Sequence, residues 1–197
     1  MADINTDSLF ILSGPSGAGE DSIIEGLSEE IEIERVITTT SRDQRPNEVD
    51  GEDYHFISKE EFEARVEEDD FFEYAEQDNG NLYGTTLKEL QRVASADAVG
   101  VLKVDYKGVE TYREKLEGII AIMIYTSKEN LAKRIQERGT SSDEFVQDRI
   151  KYAQGWFENT GLFDYKVENA QGKLDRAVED VLEIITNECP QEYIHYK

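Results

Sequence analysis

The segment LSGPSGAGEDSII, residues 12–24, decides the fold of this chain. It follows the short apolar run SLFILS, which reads as a buried strand, and it leads into an amphipathic helical pattern. Glycines at 14, 17 and 19 allow backbone N–H groups to point inward, and a helix N-terminus adds positive potential. The order strand, glycine-rich loop and helix predicts a phosphate-binding loop; an ordinary tight strand-to-helix turn is the alternative.

Two acidic residues, Glu20 and Asp21, stand where the signature G-x-x-x-x-G-K-[ST] of such loops has lysine and a hydroxyl. At about 4 Å from a phosphate charge and an effective dielectric constant near 20, a lysine gains roughly 4 kcal/mol per unit charge and a glutamate loses as much. Even reduced by rotation into solvent, that difference is enough to slow phosphoryl transfer by several powers of ten. Asp21 is the milder departure, because a carboxylate can bind Mg2+ directly or through water.

The composition restricts the class of protein. The 197 residues suffice for one domain with insertions or two small ones, and the balance of 21 basic against 44 acidic residues gives a net charge of −23. Such a surface repels duplex nucleic acid and anionic membranes, and it favours solubility in a salt-rich cytoplasm. A lone Cys189, no secretory signal and no apolar run near the length of a membrane helix predict a cytoplasmic protein.

Apolar and amphipathic segments alternate after the loop; the alternation is interrupted at residues 38–94 and then continues. Short β-branched or apolar runs indicate strands, and segments with apolar residues three and four apart indicate helices. This alternation predicts an α/β fold with a parallel sheet flanked by helices. The predicted core covers residues 8–37, 97–126 and 163–188, with strands in SLFILS, RVITTTSR, VGVLKVD, GIIAIMIYT and DYKVEN.

The interruption, residues 38–94, predicts a small mixed α+β subdomain inserted into a single domain, 1–197. Its first part is polar and rich in turn residues. Ser58, with Glu61 three residues later, forms a capping box that begins a helix with Phe62 facing inward. Short extended pieces and a second helix follow.

Two segments of this insert carry a specific resemblance: TTTSRDQRPNEVDGEDYHFISKEEF, residues 38–62, and FFEYAEQDNGNLYGTT, residues 71–86. They resemble the guanylate kinase family, whose members transfer a phosphoryl group from ATP to GMP. The resemblance runs from about Leu9 to the terminal helix. It implies the nucleoside-monophosphate kinase type of P-loop fold, a GMP-binding subdomain at about 38–94, a helical lid at about 138–158, and Mg2+ with ATP as co-substrate.

The resemblance assigns GMP to residues of the insert. Arg42 and Arg45 are the only cations in residues 36–51, and forked guanidinium donors suit a phosphate monoester. Glu73 matches the family carboxylate that accepts hydrogen bonds from guanine N1–H and the exocyclic amine, a pair of donors that adenine does not present there. The implied GMP-binding residues are Thr38, Arg42, Arg45, Glu48, Tyr54, Glu73, Tyr83, Thr85 and Asp105.

The resemblance assigns ATP to the glycine loop and to later segments. Family lids carry arginines that neutralise charge on the transferring phosphoryl group, and RIQERGTSSDEFVQDRIKYA holds three arginines. The implied catalytic residues are Arg134, Arg138, Arg149 and Lys103. The implied ATP-binding residues are Gly14, Pro15, Ser16, Gly17, Ala18, Gly19, Glu20, Asp21, Ser22 and Asn169, and the implied Mg2+ ligands are Asp105 and Asp21.

A second departure lies in VLKVDYKG, residues 101–108, where the family has an Asp-x-Asp pattern. Lys103 takes the first position and Asp105 the second. One interpretation is a charge swap, in which Lys103 reaches the phosphates and pairs with Glu20; the other is the erosion of an unused site. The resemblance therefore leaves three alternatives: a working guanylate kinase, a related module that binds GMP or a phosphorylated peptide without catalysis, or an active enzyme that carries an engineered or isolated change at Glu20.

Overall fold

The computed structural model describes residues 4–77, 80–137 and 143–197. The backbone divides into two compact units: a smaller one made mainly of Arg35–Ala96, and a larger one made of Thr6–Glu34 and Asp97–Lys197. The strands found in the described residues are β1 Leu9–Ser13, β2 Ile33–Arg35, β3 Thr39–Thr40, β4 His55–Phe56, β5 Phe71–Glu76, β6 Leu82–Thr86, β7 Val99–Lys103, β8 Ile120–Tyr125 and β9 Tyr165–Glu168. The α-helices found there are α1 Glu20–Glu30, α2 Lys59–Glu67, α3 Leu87–Ala94, α4 Tyr106–Lys115, α5 Lys128–Glu137, α6 Asp143–Glu158 and α7 Leu174–Glu188.

The larger unit contains a five-stranded sheet in the order β2-β7-β1-β8-β9. The pairs of β1 with β7, β1 with β8, and β8 with β9 are all parallel. Every residue of the central strand β1 is buried, as expected of a parallel strand covered on both faces. The carboxyl end of β1 leads directly into the glycine loop. The loop therefore lies beside the carboxyl ends of the parallel strands, which is where open α/β sheets bind ligands.

Helices α1 and α7 pack on this sheet through apolar faces. Ile23, Ile24 and Leu27 of α1 are buried, as predicted from their spacing, and so are Val181 and Ile185 of α7. Burying an aliphatic side chain of this size stabilises a fold by about 1.5–3 kcal/mol. The loop between β1 and α1 is therefore fixed at both of its ends by buried elements.

The smaller unit contains a four-stranded sheet in the order β4-β3-β6-β5, in which β3 pairs parallel with β4 and antiparallel with β6. Ser58 caps the N-terminus of helix α2: its side chain accepts a hydrogen bond from the N–H of Glu61, as the capping box predicts. Phe62 of α2 is fully buried and stacks on Phe71 of β5 with 4.2 Å between the ring centroids. Aromatic packing thus joins α2 to the sheet.

The α/β fold class with a parallel sheet flanked by helices is confirmed. One predicted strand differs: RVITTTSR divides into β2, which ends at Arg35, and β3, which begins at Thr39. Of the segment predicted as a helical lid, 138–158, residues 138–142 lie outside the described part of the chain, and the remainder is α6. Among the described helices, none combines the length and the apolar character needed to cross a membrane.

Candidate active site

The glycine loop has a tight backbone that depends on its glycines. Gly17 and Gly19 have φ angles of 93° and 98°, a left-handed conformation that favours glycine. The N–H of Ala18 donates to the carbonyl of Pro15 at 2.8 Å, which closes the turn. A Cβ at Gly14 would lie 2.4 Å from the carbonyl oxygen of Ile124, so β8 leaves no room for a side chain there. Two loop residues predicted to contact ATP are exposed, Ser16 and Ser22.

The side chain of Glu20 turns back into this loop. Its Oε2 accepts a hydrogen bond from the N–H of Gly19 at 3.0 Å. Its carboxyl carbon is 3.2 Å from the position that a Cβ of Gly14 would occupy. Burial raises the pKa of Glu20 to about 7, although the hydrogen bonds from backbone N–H groups and the charge of Lys103 act in the opposite direction. A carboxylate of the chain therefore occupies the inside of the loop.

Lys103 forms its ion pair with Asp21 and not with Glu20, so the predicted pairing partner is wrong. Its Nζ donates to Oδ1 of Asp21 at 2.6 Å. Consecutive residues of a helix point about 100° apart, so Glu20 and Asp21 at the start of α1 face different directions. Glu20 turns into the loop, and Asp21 is left to meet the end of β7.

Asp105 uses both carboxylate oxygens within the larger unit. Oδ1 accepts from the N–H of Gly108 at 2.9 Å and so caps the N-terminus of α4. Oδ2 accepts from the hydroxyl of Tyr152 at 2.8 Å, which ties α6 to the same position. The Tyr152 hydroxyl has a raised pKa because it is partly buried and bonded to this carboxylate. Asp105 is also a predicted ligand of Mg2+ and GMP, and each of its oxygens keeps a second lone pair beside these bonds.

The three arginines that the resemblance assigns to catalysis differ in their surroundings. Arg134 lies on α5 and donates to the carbonyls of Gly17, Ala18 and Asn169 at 3.0–3.1 Å. Arg149 lies on α6, with its guanidinium carbon 5.0 Å from the centroid of the Phe145 ring. Arg138 lies outside the described residues.

Asn169 is buried at the end of β9 and contacts the loop. Its Nδ2 donates to the carbonyl of Ala18 at 2.8 Å, and its own N–H donates to the carbonyl of Tyr125 at 2.8 Å. The resemblance implies that this residue binds ATP. In the structure its side chain and its N–H donate to the backbone of the loop and of β8, and its carbonyl accepts from Arg134.

In the smaller unit, Arg42 is the centre of a charged and aromatic cluster. Both of its terminal nitrogens donate to the Glu48 carboxylate, at 3.0 and 2.8 Å. Its guanidinium carbon lies 5.4 Å from the Tyr54 ring centroid, and Tyr54 meets Tyr83 edge-on at 6.0 Å. The hydrogen bond to Arg42 lowers the pKa of Glu48. Arg45 donates its backbone N–H to Glu48 at 2.8 Å, and its 72% exposed side chain forms a longer ion pair with the same carboxylate at 3.9 Å.

Glu73 and Thr85 lie opposite each other on β5 and β6. Oε1 of Glu73 accepts from the N–H of Thr85 at 3.2 Å, which fixes the carboxylate on the sheet. Thr85 is buried, and Thr38 is half-buried with its carbonyl accepting from the N–H of His55 at 2.9 Å. All the predicted GMP residues except Asp105 therefore belong to the smaller unit.

Two aromatic residues of α6 that were not predicted from the sequence pack beside the end of β1. Trp156 donates its indole N–H to Oγ of Ser13, at the end of β1, at 2.9 Å, and Tyr152 packs edge-on against it at 5.5 Å. Both pack on Tyr106, the first residue of α4. Their spacing of four residues in one helix was the available signal, because it places both rings on one face.

A parallel sheet whose first strand leads through a glycine loop into a helix defines the class of phosphate-binding-loop α/β proteins. The model of the guanylate kinase family matches residues 6–188. Guanylate kinase of Bartonella quintana (strain Toulouse) is 37% identical over 163 residues, which cover 82% of this chain and 73% of the relative. Guanylate kinase of Colwellia psychrerythraea is 37% identical over 196 residues, which cover 94% and 88%. The chain therefore belongs to the guanylate kinase family.

A solved structure supports the fold independently. The crystal structure of guanylate kinase from Anaplasma phagocytophilum resembles this chain with a TM-score of 0.72 and 23% sequence identity. The match covers 96% of this chain and 90% of the other.

Proposed function

We propose that this chain is a guanylate kinase that transfers the γ-phosphoryl group of ATP to GMP and releases ADP and GDP. Beside family membership, the observation that carries the proposal is the Arg42 cluster of the smaller unit. A guanidinium held by a carboxylate over aromatic rings is fixed in position before a phosphate arrives, which lowers the entropy lost on binding. That arrangement suits a phosphate monoester.

Glu48 acts on GMP through the arginines. A carboxylate repels a phosphate, so Glu48 is not a direct phosphate ligand. Its bidentate pair with Arg42 and its bond to the N–H of Arg45 hold both residues in one place. The GMP phosphate then takes the remaining donors, among them the exposed side chain of Arg45.

Glu73 selects the base. One of its oxygens accepts from the N–H of Thr85, so the carboxylate is oriented by the sheet. The guanine N1–H and exocyclic amine form a pair of donors that match a carboxylate, and adenine lacks that pair on the same edge. A site built for such a hydrogen-bonded pair discriminates strongly, because the wrong base leaves its polar groups unpaired.

On the ATP side, Glu20 must leave the loop before the phosphates enter, and Lys103 supplies the cation that the loop lacks. The Lys103 ammonium is held near the first turn of α1 by its ion pair with Asp21. Contact with a phosphate would require this pair to open or to be shared. The backbone N–H groups of the loop and the start of α1 act on the phosphates whatever side chain stands at position 20.

Asp21 and Asp105 fit Mg2+ by the chemistry of their oxygen atoms, since this ion prefers a few carboxylate oxygens together with substrate phosphates. Within residues 4–77, 80–137 and 143–197, no three acidic, histidine or cysteine side chains are grouped closely enough to hold a metal without the nucleotide. When bound, Mg2+ neutralises charge on the β- and γ-phosphates. Asp21 and Asp105 would hold it.

The chemistry needs no covalent intermediate and no strong base. Phosphoryl transfer depends on positioning and on neutralising charge, and lid arginines of the Arg138 and Arg149 type typically contribute ~10³–10⁵ in rate. We assign Arg149 to this task from its place on α6, and Arg138 from the family match.

A second candidate is a module that binds GMP or a phosphorylated peptide without catalysis. The observation that favours it is the Glu20 carboxylate inside the loop, which opposes ATP. The Arg42 cluster would then bind phosphoserine in place of GMP.

Calorimetry with GMP, AMP and a phosphoserine peptide tests ligand binding at the Arg42 cluster, in the unsubstituted protein and in Arg42→Ala. We expect GMP to bind, AMP to bind at least tenfold more weakly, and Arg42→Ala to lose about 1.5–3 kcal/mol of GMP binding. Lys107→Ala, which removes an exposed cation of the larger unit, is the control. Preference for the phosphopeptide over GMP would overturn the kinase assignment.

A further inference from the structure

The peptide group that joins Ala18 to Gly19 is held at both of its ends. Its carbonyl accepts hydrogen bonds from Nη1 of Arg134 at 3.1 Å and from Nδ2 of Asn169 at 2.8 Å. Its N–H donates to Oε2 of Glu20 at 3.0 Å. The donors on the carbonyl lie on α5 and after β9, and the acceptor of the N–H lies inside the loop.

The planar trans geometry of a peptide makes its C=O and N–H point in opposite directions. Fixing the carbonyl of Ala18 against Arg134 and Asn169 therefore directs the N–H of Gly19 into the loop. Without these two donors the peptide is free to rotate, because the φ angle of 98° at Gly19 belongs to a residue with many accessible conformations. A rotated peptide would present a carbonyl oxygen to an incoming anion.

Arg134 also fixes the neighbouring backbone. The same Nη1 donates to the carbonyl of Gly17 at 3.1 Å, and Nη2 donates to the carbonyl of Asn169 at 3.0 Å. One guanidinium thus joins two successive loop carbonyls to the residue that follows β9. This use requires the planar fork of arginine, which the single ammonium of lysine cannot reproduce.

We propose that Arg134 and Asn169 are positioning residues of the glycine loop, which orient the Ala18–Gly19 peptide so that its N–H meets a bound anion. The resemblance to the family placed Arg134 on the transferring phosphoryl group and Asn169 on adenine. The positioning role follows from their contacts with the loop carbonyls. Only the identity of the anion as an ATP phosphate rests on the proposed function, because a carboxyl oxygen of Glu20 already accepts from this N–H in the structure.

The first experiment needs no nucleotide. The amide proton of Gly19 is followed by NMR in the unsubstituted protein, in Arg134→Lys and in Arg134→Gln. Arg176→Gln is the matched control, because Arg176 is an exposed arginine on α7, in the same unit. We expect the Gly19 resonance to move toward the position of a weakly bonded amide in Arg134→Gln, and less in Arg134→Lys. Thermal unfolding shows that each variant is folded. An unmoved Gly19 resonance in a folded Arg134→Gln protein overturns the proposal.

The second experiment separates positioning from contact with the base. Tripolyphosphate, which has no base, and adenosine, which has no phosphate, are titrated into Glu20→Gln and into Glu20→Gln combined with Asn169→Ala or Arg134→Gln. We expect tripolyphosphate to bind roughly 10- to 100-fold more weakly in the double variants, and adenosine to be unchanged. Weakened adenosine with unchanged tripolyphosphate would overturn the proposal. If Glu20→Gln binds neither ligand, the ATP side of the proposed function fails, and the Gly19 resonance alone decides the positioning role.

Discussion

Replacing Glu20 with glutamine should tighten ATP binding. In the structure this carboxylate accepts from the N–H of Gly19 at 3.0 Å and lies against Gly14, so a phosphate cannot enter while it stays. A charge about 4 Å from a phosphate costs roughly 4 kcal/mol per unit charge at an effective dielectric constant near 20. Rotation of Glu20 into solvent avoids most of this repulsion and restores the hydration of the carboxylate, but it gives up the hydrogen bond from the N–H of Gly19, so removing the charge recovers only part of this energy. The net gain on removing the charge is therefore roughly 10- to 100-fold in affinity.

Calorimetry with ATP and Mg2+ measures this gain directly. Glu25→Gln is the matched control, because it removes the same charge from an exposed position of the same helix, α1. We expect Glu20→Gln to bind ATP more tightly and Glu25→Gln to bind ATP like the unsubstituted protein. The affinity for GMP should be the same in all three proteins. Equal gains in the two variants would show a general effect of net charge, and no gain at Glu20 would refute the occupied loop.

Three further results are expected. Glu73→Gln should relax the preference for GMP over AMP by about tenfold or more, because an amide presents an N–H where the guanine donors need an oxygen. The preference is measured as the ratio of the kcat/KM values, and an unaltered ratio would show that Glu73 does not select the base. Phe62→Ala should lower the free energy of unfolding by about 3–5 kcal/mol in urea titrations, and a loss under 1 kcal/mol would contradict its place in the core. Without nucleotide or metal, raising the pH from 5 to 8 should destabilise the unsubstituted protein relative to Glu20→Gln by at most about 3 kcal/mol. The folded-state pKa of Glu20, about 7, lies above the ordinary value, so the stability that its protonated form contributes is complete below the ordinary pKa and is lost as the pH rises through 7. A difference in unfolding free energy that does not change with pH would contradict the raised pKa.

The fold was largely accessible from the sequence because its signals are local, whereas the residues of the smaller unit's candidate site were named through a family resemblance and stay predictions. The order of β1, loop and α1 appears in thirteen consecutive residues, 12–24, and the cap at Ser58 needs only Glu61 three residues later. The two arginines that the resemblance assigns to GMP, Arg42 and Arg45, are three residues apart in one polar segment. In each case a short spacing fixes the geometry.

The larger unit's contacts were not accessible because they join distant parts of the chain. Lys103 and Asp21 are 82 residues apart, and no local pattern selects Asp21 over its neighbour Glu20. Arg134 is 116 residues from Ala18, and nothing in the periodicity of α5 indicates that its side chain reaches loop carbonyls. Such pairs are decided by tertiary packing, which brings the ends of β7, β9 and α5 to the loop.

GMP-dependent formation of ADP from ATP and Mg2+ tests the central claim most directly. The unsubstituted protein and Glu20→Lys are each assayed with GMP, with AMP and without a phosphoryl acceptor. We predict ADP formation that requires GMP, is weak with AMP, and is faster in Glu20→Lys because the loop is vacated and regains a cation. ADP formation that is absent in both proteins while GMP still binds would contradict the kinase assignment and leave a binding module.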